Sequence, residues 1–323
     1  MNLKHFFIAL AVSFPLWWGA NIFQKNSQDF FLWQIIKADP ELFLAEAQAP
    51  VVRRSPAISR NPGEKSIVPE DFSASAAFAV WVDNNGRRKT LFQKNADGKL
   101  PIASVSKLMV ADIILNNYDL SRIVEIDEAA VAREEDFGSL KAGERLSVKN
   151  LLYLILMESS NDAVWALAEQ EGIDNFVLEM NRQAGESGLA DTYFINPNGV
   201  DPDIPNGPLN YSTARDLSRL AQTLYEKKPL VWDILGLSAY DLYMPDGKLH
   251  HRLKNTNELL GMVPRLIGGK TGWTPIAKGC LVLLQRAPGN QGFLVYVLLG
   301  SDDRFGEMAK LVNWADRAWS WQE

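Results

Sequence analysis

Strand-like stretches at both ends of a long helical middle limit what this chain can fold into. "AAFAVWVD" and "KTLFQKN" flank a turn at Asn84-Asn85-Gly86 and read as a hairpin. Much later, "GGKTGWT", "GCLVLLQRA" and "FLVYVLLGS" read as three further strands joined by short, turn-rich connections. Between about 120 and 235 helical spacing dominates, as in "VKNLLYLILM" and "STARDLSRLAQTLY". This order specifies an α+β domain with a helical insert. A last helix, "RFGEMAKLVNWADRAWSW", carries Phe305, Met308, Leu311, Val312, Ala315 and Trp319 on one stripe, which is expected to pack on the sheet.

The folded part is expected to start near Asp71 and run to 323. Before it, residues 1–23 (MNLKHFFIALAVSFPLWWGANIF) have a basic start and an apolar run, the pattern of a secretory signal or a membrane anchor. The run from Phe6 to Phe23 sits at the short end of the ~17–25 residues that span a bilayer. No small-x-small cleavage site directly follows it, which favours an uncleaved anchor with the carboxyl end outside. Residues 24–70 read as a juxtamembrane stretch followed by a linker holding Pro50, Pro56, Pro62 and Pro69.

The net charge of -6 and the lack of a long basic run argue against a nucleic-acid partner. The single cysteine, Cys280, allows no internal disulfide and is expected to be a buried structural thiol. There are three histidines, His5, His250 and His251. His5 lies in the apolar N-terminal run, and the other two are expected at exposed loop or strand positions. A serine nucleophile therefore has few histidines to draw on as a base.

That shortage directs attention to "PIASVSKLMVADIIL", residues 101–115. Pro101 and Asn116-Asn117 suit helix boundaries. On that helix Ser104 and Lys107 share a face at the first turn. A lysine in so apolar a run ordinarily snorkels to water. If it is buried instead, its charged form is disfavoured. The neutral amine can then take the serine proton and make a nucleophile. This is the only Ser-x-x-Lys in the chain. A second piece, "LILMESSNDAVWALAE", breaks two apolar helical stretches at Ser159-Ser160-Asn161-Asp162. Such residues cap helices, and here two buried helices would hold a hydroxyl and an amide rigidly. In the third piece, "GGKTGWT", Gly272 lets a ligand approach the strand closely, and Lys270 and Thr271 suit an anionic group beside it.

Ser-x-x-Lys, Ser-x-Asn and Lys-Thr-Gly in this order resemble the signature of penicillin-binding proteins and serine β-lactamases. The flanking "ASVSKLM", "SSNDAVWALAE", "NPNGVD", "STARDL", "NTNELL" and "GGKTGWT" are similar to the low-molecular-weight D-alanyl-D-alanine carboxypeptidases of serine peptidase family S11, from about 75 to about 315. Two departures stand out: the chain ends right after the last helix, without the β-rich second domain of many relatives, and Ser160 stands where relatives often have glycine.

The resemblance implies a β-lactamase/transpeptidase-like α+β fold, with a mainly antiparallel five-stranded sheet flanked by helices and a helical subdomain. It implies Ser104 as nucleophile, Lys107 as its base and Ser159 as proton relay to the leaving nitrogen. Asn161 would orient the peptide amide, Lys270 supply positive charge, Thr271 bind the terminal carboxylate, and the Ser104 and Trp273 backbone N–H groups form an oxyanion hole. It implies peptidoglycan stem peptides as substrates, β-lactams as inhibitors, no metal or other cofactor, and a catalytic domain outside the cytoplasmic membrane, secreted if the N-terminal segment is cleaved. Among class A β-lactamases a Glu-x-x-x-Asn loop activates the deacylating water. Glu171 and Asn175 have that spacing, inside an expected helix end. A silent peptidoglycan-binding protein on the same fold is the remaining alternative.

Overall fold

In the computed structural model, strand β1 (Ile58–Arg60) is followed by β2 (Ala76–Val82), β3 (Arg88–Lys94) and the short β4 (Leu100–Pro101). The structure describes residues 58–131, 140–202, 204 and 207–321. Helix α1 (Lys107–Asn117), β5 (Ile123–Glu125), β6 (Arg145–Ser147), α2 (Val148–Tyr153), α3 (Asn161–Ala168) and α4 (Ile173–Glu186) build the helical part. After β7 (Tyr211–Ser212) come α5 (Ala214–Lys227), α6 (Leu230–Leu235), β8 (Ala239–Tyr243) and β9 (Leu249–Lys254). The chain closes with β10 (Leu266–Thr274), β11 (Lys278–Arg286), β12 (Phe293–Ser301), α7 (Arg304–Ala318) and β13 (Trp319–Trp321).

The main sheet has the order β10-β11-β12-β2-β3, and every neighbouring pair is antiparallel. This is the expected five-stranded sheet. Alternation along its strands sorts side chains into two cores. Phe78, Val80, Val282, Val295 and Val297 face the helical part, where Leu108, Leu217 and Leu220 meet them. Ala79, Trp81, Leu283, Leu294, Tyr296 and Leu298 face the other way, onto Met308, Leu311, Val312 and Ala315 of α7. Both faces are covered, so β2, β11 and β12 read as apolar runs without a polar side.

Three sequence expectations change. Trp319 does not extend the stripe of the last helix: α7 ends at Ala318 and Trp319 begins β13. That strand pairs with β1, Ile58 opposite Trp321, so residues 58–60, expected in a linker, belong to the folded body. The chain enters the fold before Asp71 because Ile58 is buried and Trp321 packs edge-on against Trp81, 5.6 Å between centroids. His250 and His251 do lie on a strand, β9, but their rings are partly buried against carboxylates. Cys280 is buried as expected, and burial pushes its thiol up to about 12. Among the described residues no helix is long and apolar enough to cross a membrane. The expected anchor, residues 1–23, His5 and the linker up to residue 57 lie outside the described residues.

Candidate active site

Ser104 sits in a 3-10 turn, Ala103–Ser106, immediately ahead of α1. Residues three apart eclipse one another in such a turn, so Ser104 and Lys107 meet as the spacing predicted. Lys107 Nζ lies 2.8 Å from Ser104 Oγ, from Asn161 Oδ1 and from the Asn198 carbonyl oxygen. The side chain is fully buried. Burial, with Lys270 adding repulsion, holds its pKa well below the usual lysine value.

The Ser159 position is made by a break in a helix. After α2 the backbone widens into a π turn, Leu154–Glu158, and Ser159 follows in the left-handed region at φ 63°, ψ 29°. Ser160, not Ser159, is the cap of α3: its Oγ accepts from Ala163 N–H at 3.1 Å. The cap and the functional group predicted from this segment are therefore neighbouring residues. A non-glycine residue in this region is strained unless its surroundings impose it; here the buried residues of the π turn and α3 on either side do so. Asn161 opens α3 and points its amide oxygen at Lys107.

Strand β10 is the sheet edge. Lys270 is fully buried, with Nζ 2.9 Å from Ser159 Oγ and 3.0 Å from the Thr271 carbonyl oxygen. Burial, and then Arg304, pull its pKa down to about 7. The Thr271 and Thr256 hydroxyls share a hydrogen bond of 2.6 Å. Gly272 lies directly over the Ser104 turn: a Cβ there would come 3.1 Å from Ile102 O, Ser104 N and Val105 N. Trp273 is 61% exposed at the rim.

These elements enclose a groove of about 440 Å³. Ser104, Ser159, Asn161, Thr271, Gly272 and Trp273 all line it. Lys107 and Lys270 lie beneath and reach it through their serines. The sequence reading missed three contributors. The Asn198 carbonyl and Thr256 sit in segments noted only for resemblance, "NPNGVD" and "NTNELL". Arg304 opens α7, lines the groove and donates from Nη1 to the Gly272 carbonyl at 2.9 Å; no local pattern marks it.

Neither His250 nor His251 lines the groove: His250 Nε2 lies 3.2 Å from Glu144 and His251 Nε2 3.1 Å from Glu158. Glu171 lies beside Tyr118, and its carbonyl accepts from Asn175 Nδ2 at 2.9 Å, so this pair does not reach the groove either. Among the described residues no three His, Cys, Asp or Glu side chains are grouped to hold a metal ion.

A family model described as D-alanyl-D-alanine carboxypeptidase matches residues 64–303. The chain is 33% identical over 225 residues to the D-alanyl-D-alanine carboxypeptidase of Streptomyces sp. (strain K15), covering 64% of this chain and 75% of that protein. It is 31% identical over 271 residues to a D-alanyl-D-alanine endopeptidase of Pseudomonas aeruginosa, covering 80% and 83%. The crystal structure of the Streptomyces K15 DD-transpeptidase matches with a TM-score of 0.67 at 29% identity, over 76% of this chain and 97% of that one. A penicillin-binding protein homolog of Mycobacterium tuberculosis matches at 0.69 and 27%, over 80% and 96%. Shared fold and matched sequence agree: this chain belongs to the D-alanyl-D-alanine carboxypeptidase family of serine peptidases, S11.

Proposed function

We propose that the Ser104 groove carries out the family's reaction, serine-type hydrolysis of the bond between two D-alanines at the end of a peptidoglycan stem peptide. The observation that carries this is Lys107: fully buried and 2.8 Å from Ser104 Oγ. Asn161 Oδ1 and the Asn198 carbonyl accept hydrogen bonds and donate none. In the neutral amine they take both N–H groups, which leaves the lone pair for the Ser104 hydroxyl proton. Ser104 then attacks the peptide carbonyl, and the developing oxyanion is met by the Ser104 and Trp273 backbone N–H groups.

Ser159, hydrogen-bonded to Lys270, hands a proton to the leaving D-alanine nitrogen. Asn161 orients the peptide amide, while Thr271 and the Arg304 cation receive the terminal carboxylate. Water releases the acyl-enzyme. β-Lactams, whose strained amide mimics the substrate bond, acylate the same serine. With Glu171 away from the groove, no glutamate of that loop speeds deacylation, which supports the peptidase reading over a β-lactamase.

Intact-mass analysis of the purified protein with penicillin and with diacyl-D-Ala-D-Ala peptide tests this. We expect one long-lived penicillin adduct, absent from Ser104→Ala, and D-alanine release from the peptide. An adduct that survives in that variant refutes the choice of serine. The relative named as an endopeptidase makes a cross-linked muropeptide the second substrate to assay.

The family works outside the cytoplasmic membrane. We place residues 1–23 as an uncleaved anchor, residues 24–57 as the tether, and the catalytic domain outside. N-terminal sequencing of the native protein checks this. A soluble mature chain beginning near residue 21 refutes the anchor and leaves export intact.

A further inference from the structure

Beyond Trp273 one side chain ties the two walls of the groove together. Strand β10 stops at Thr274 and turns toward β11, opposite the loop 196–201. Asp201 crosses between the two walls. Its Oδ1 accepts from Thr274 Oγ1 at 2.7 Å, and its Oδ2 accepts from Ile276 N–H at 3.0 Å. The Thr274 hydroxyl also accepts from Ala277 N–H at 3.0 Å, so it is fixed both as donor and as acceptor. Thr274 is buried.

The other end of the same loop reaches the nucleophile. The Asn198 carbonyl takes a hydrogen bond from Lys107. Gly199 lies against the nucleophile turn so tightly that a Cβ would come 2.2 Å from the Ala103 carbonyl oxygen. Asn196 braces the span, accepting from Gly199 N–H at 2.7 Å and donating to the Val200 carbonyl at 3.0 Å. Asn210 braces Asn196 in turn, donating to its carbonyl at 2.9 Å. The loop is therefore stiff between the atom that orients the base and the carboxylate that grips the strand end. Thr274 directly follows Trp273 in the strand.

We propose that Asp201 is a positioning residue for acyl transfer. By gripping Thr274 and Ile276 it holds the Trp273 backbone N–H at a set distance from Ser104 and from the loop that orients Lys107. This inference rests on the Ser104 acyl-enzyme reading. Asparagine at 201 keeps the shape but carries no charge, and its amide reaches the Thr274 hydroxyl only by reversing that bond, so it weakens the grip where alanine removes it. The native bonds are charge-assisted, the stronger kind. Displacement of an oxyanion donor by a fraction of an ångström slows acylation while leaving ground-state binding largely alone.

Stopped-flow penicillin acylation separates the acylation rate constant from the non-covalent dissociation constant, with thermal melting alongside. For Asp201→Ala we expect the acylation rate constant to fall about 10- to 100-fold, and for Asp201→Asn by less, with the dissociation constant moving less than about threefold. Thr274→Ser keeps the hydroxyl and should behave as wild type, whereas Thr274→Val should be slow. Because both changes break the same link, adding Thr274→Val to Asp201→Ala should slow acylation no further.

An Asp201→Ala rate within about twofold of wild type overturns the proposal. So does a double variant whose losses multiply, or a loss confined to the dissociation constant. If Asp201→Ala does not fold, Thr274→Val, which breaks the same link from the strand side, supplies the same comparison. Failure of the wild-type chain to form an adduct on Ser104 refutes the underlying reading instead, so the two failures are distinguishable.

Discussion

At the residue scale the site depends on two lysines kept from being ordinary lysines. Lys107→Arg keeps a positive charge but cannot be deprotonated. Turnover of a D-Ala-D-Ala peptide should fall by about 10²–10⁴, the usual worth of a general base; near-normal turnover would make Lys107 a mere charge. The pH dependence has a defined sign. In the proposed mechanism Lys270 is a cation, so kcat/KM should decline as pH rises through its value of about 7. In the same proposal Lys107 is a neutral amine, so kcat/KM should decline as pH falls through its lowered value. Arg304→Gln removes a neighbouring positive charge and lets Lys270 hold its proton longer. The alkaline limb of the profile should therefore move to higher pH, even as the lost carboxylate partner raises KM. A limb that stays in place would separate Arg304 from Lys270.

At the element scale, irregular pieces do the placing. A regular helix through Ser104 would also have brought Lys107 to its face, and the spacing alone does not tell the two apart. The 3-10 turn sets Ser104 against β10, and Gly272 lets that strand approach. Gly272→Ala brings a methyl against three backbone atoms that cannot swing aside. Overpacking of this kind costs about 1–3 kcal/mol, or roughly 2–4 °C of melting temperature per kcal/mol in a domain of this size. Acylation should slow by more than about tenfold, since the oxyanion donors move apart. Differential scanning calorimetry and the acylation rate check the two halves of that expectation. The π turn before Ser159 has no sequence signature, because its residues are as apolar as those of an α-helix. What the sequence did show there, polar residues between two buried helices, was enough to mark the spot.

At the scale of the whole molecule, the two ends of the described chain are fastened together. Strand β1 pairs with β13, and Lys89 Nζ donates to the Ile58 carbonyl at 2.9 Å. A chain cut at residue 71, where the hydrophobic pattern begins, loses this strap and exposes Trp81 and Trp321. Compared with a chain beginning at residue 56, it should melt at least about 3 °C lower, given about 1.5–3 kcal/mol for burying one large apolar side chain. Equal melting temperatures would show that the strap is passive.

The sequence by itself determined the α+β order, the five main strands, the helical insert and the three motifs that meet at the groove. Each of these is local: period 2 or period 3.6, glycine at a turn, serine and lysine three apart. Only the tertiary structure decided that Lys107 and Lys270 are desolvated, because burial depends on what packs above a residue and not on its neighbours in sequence. It alone brought in Asn198 and Asp201, Thr256, and Arg304, from three segments far from Ser104 along the chain. It also moved the start of the folded body back to Ile58, since a three-residue strand is too short to show a period and exists only through its partner.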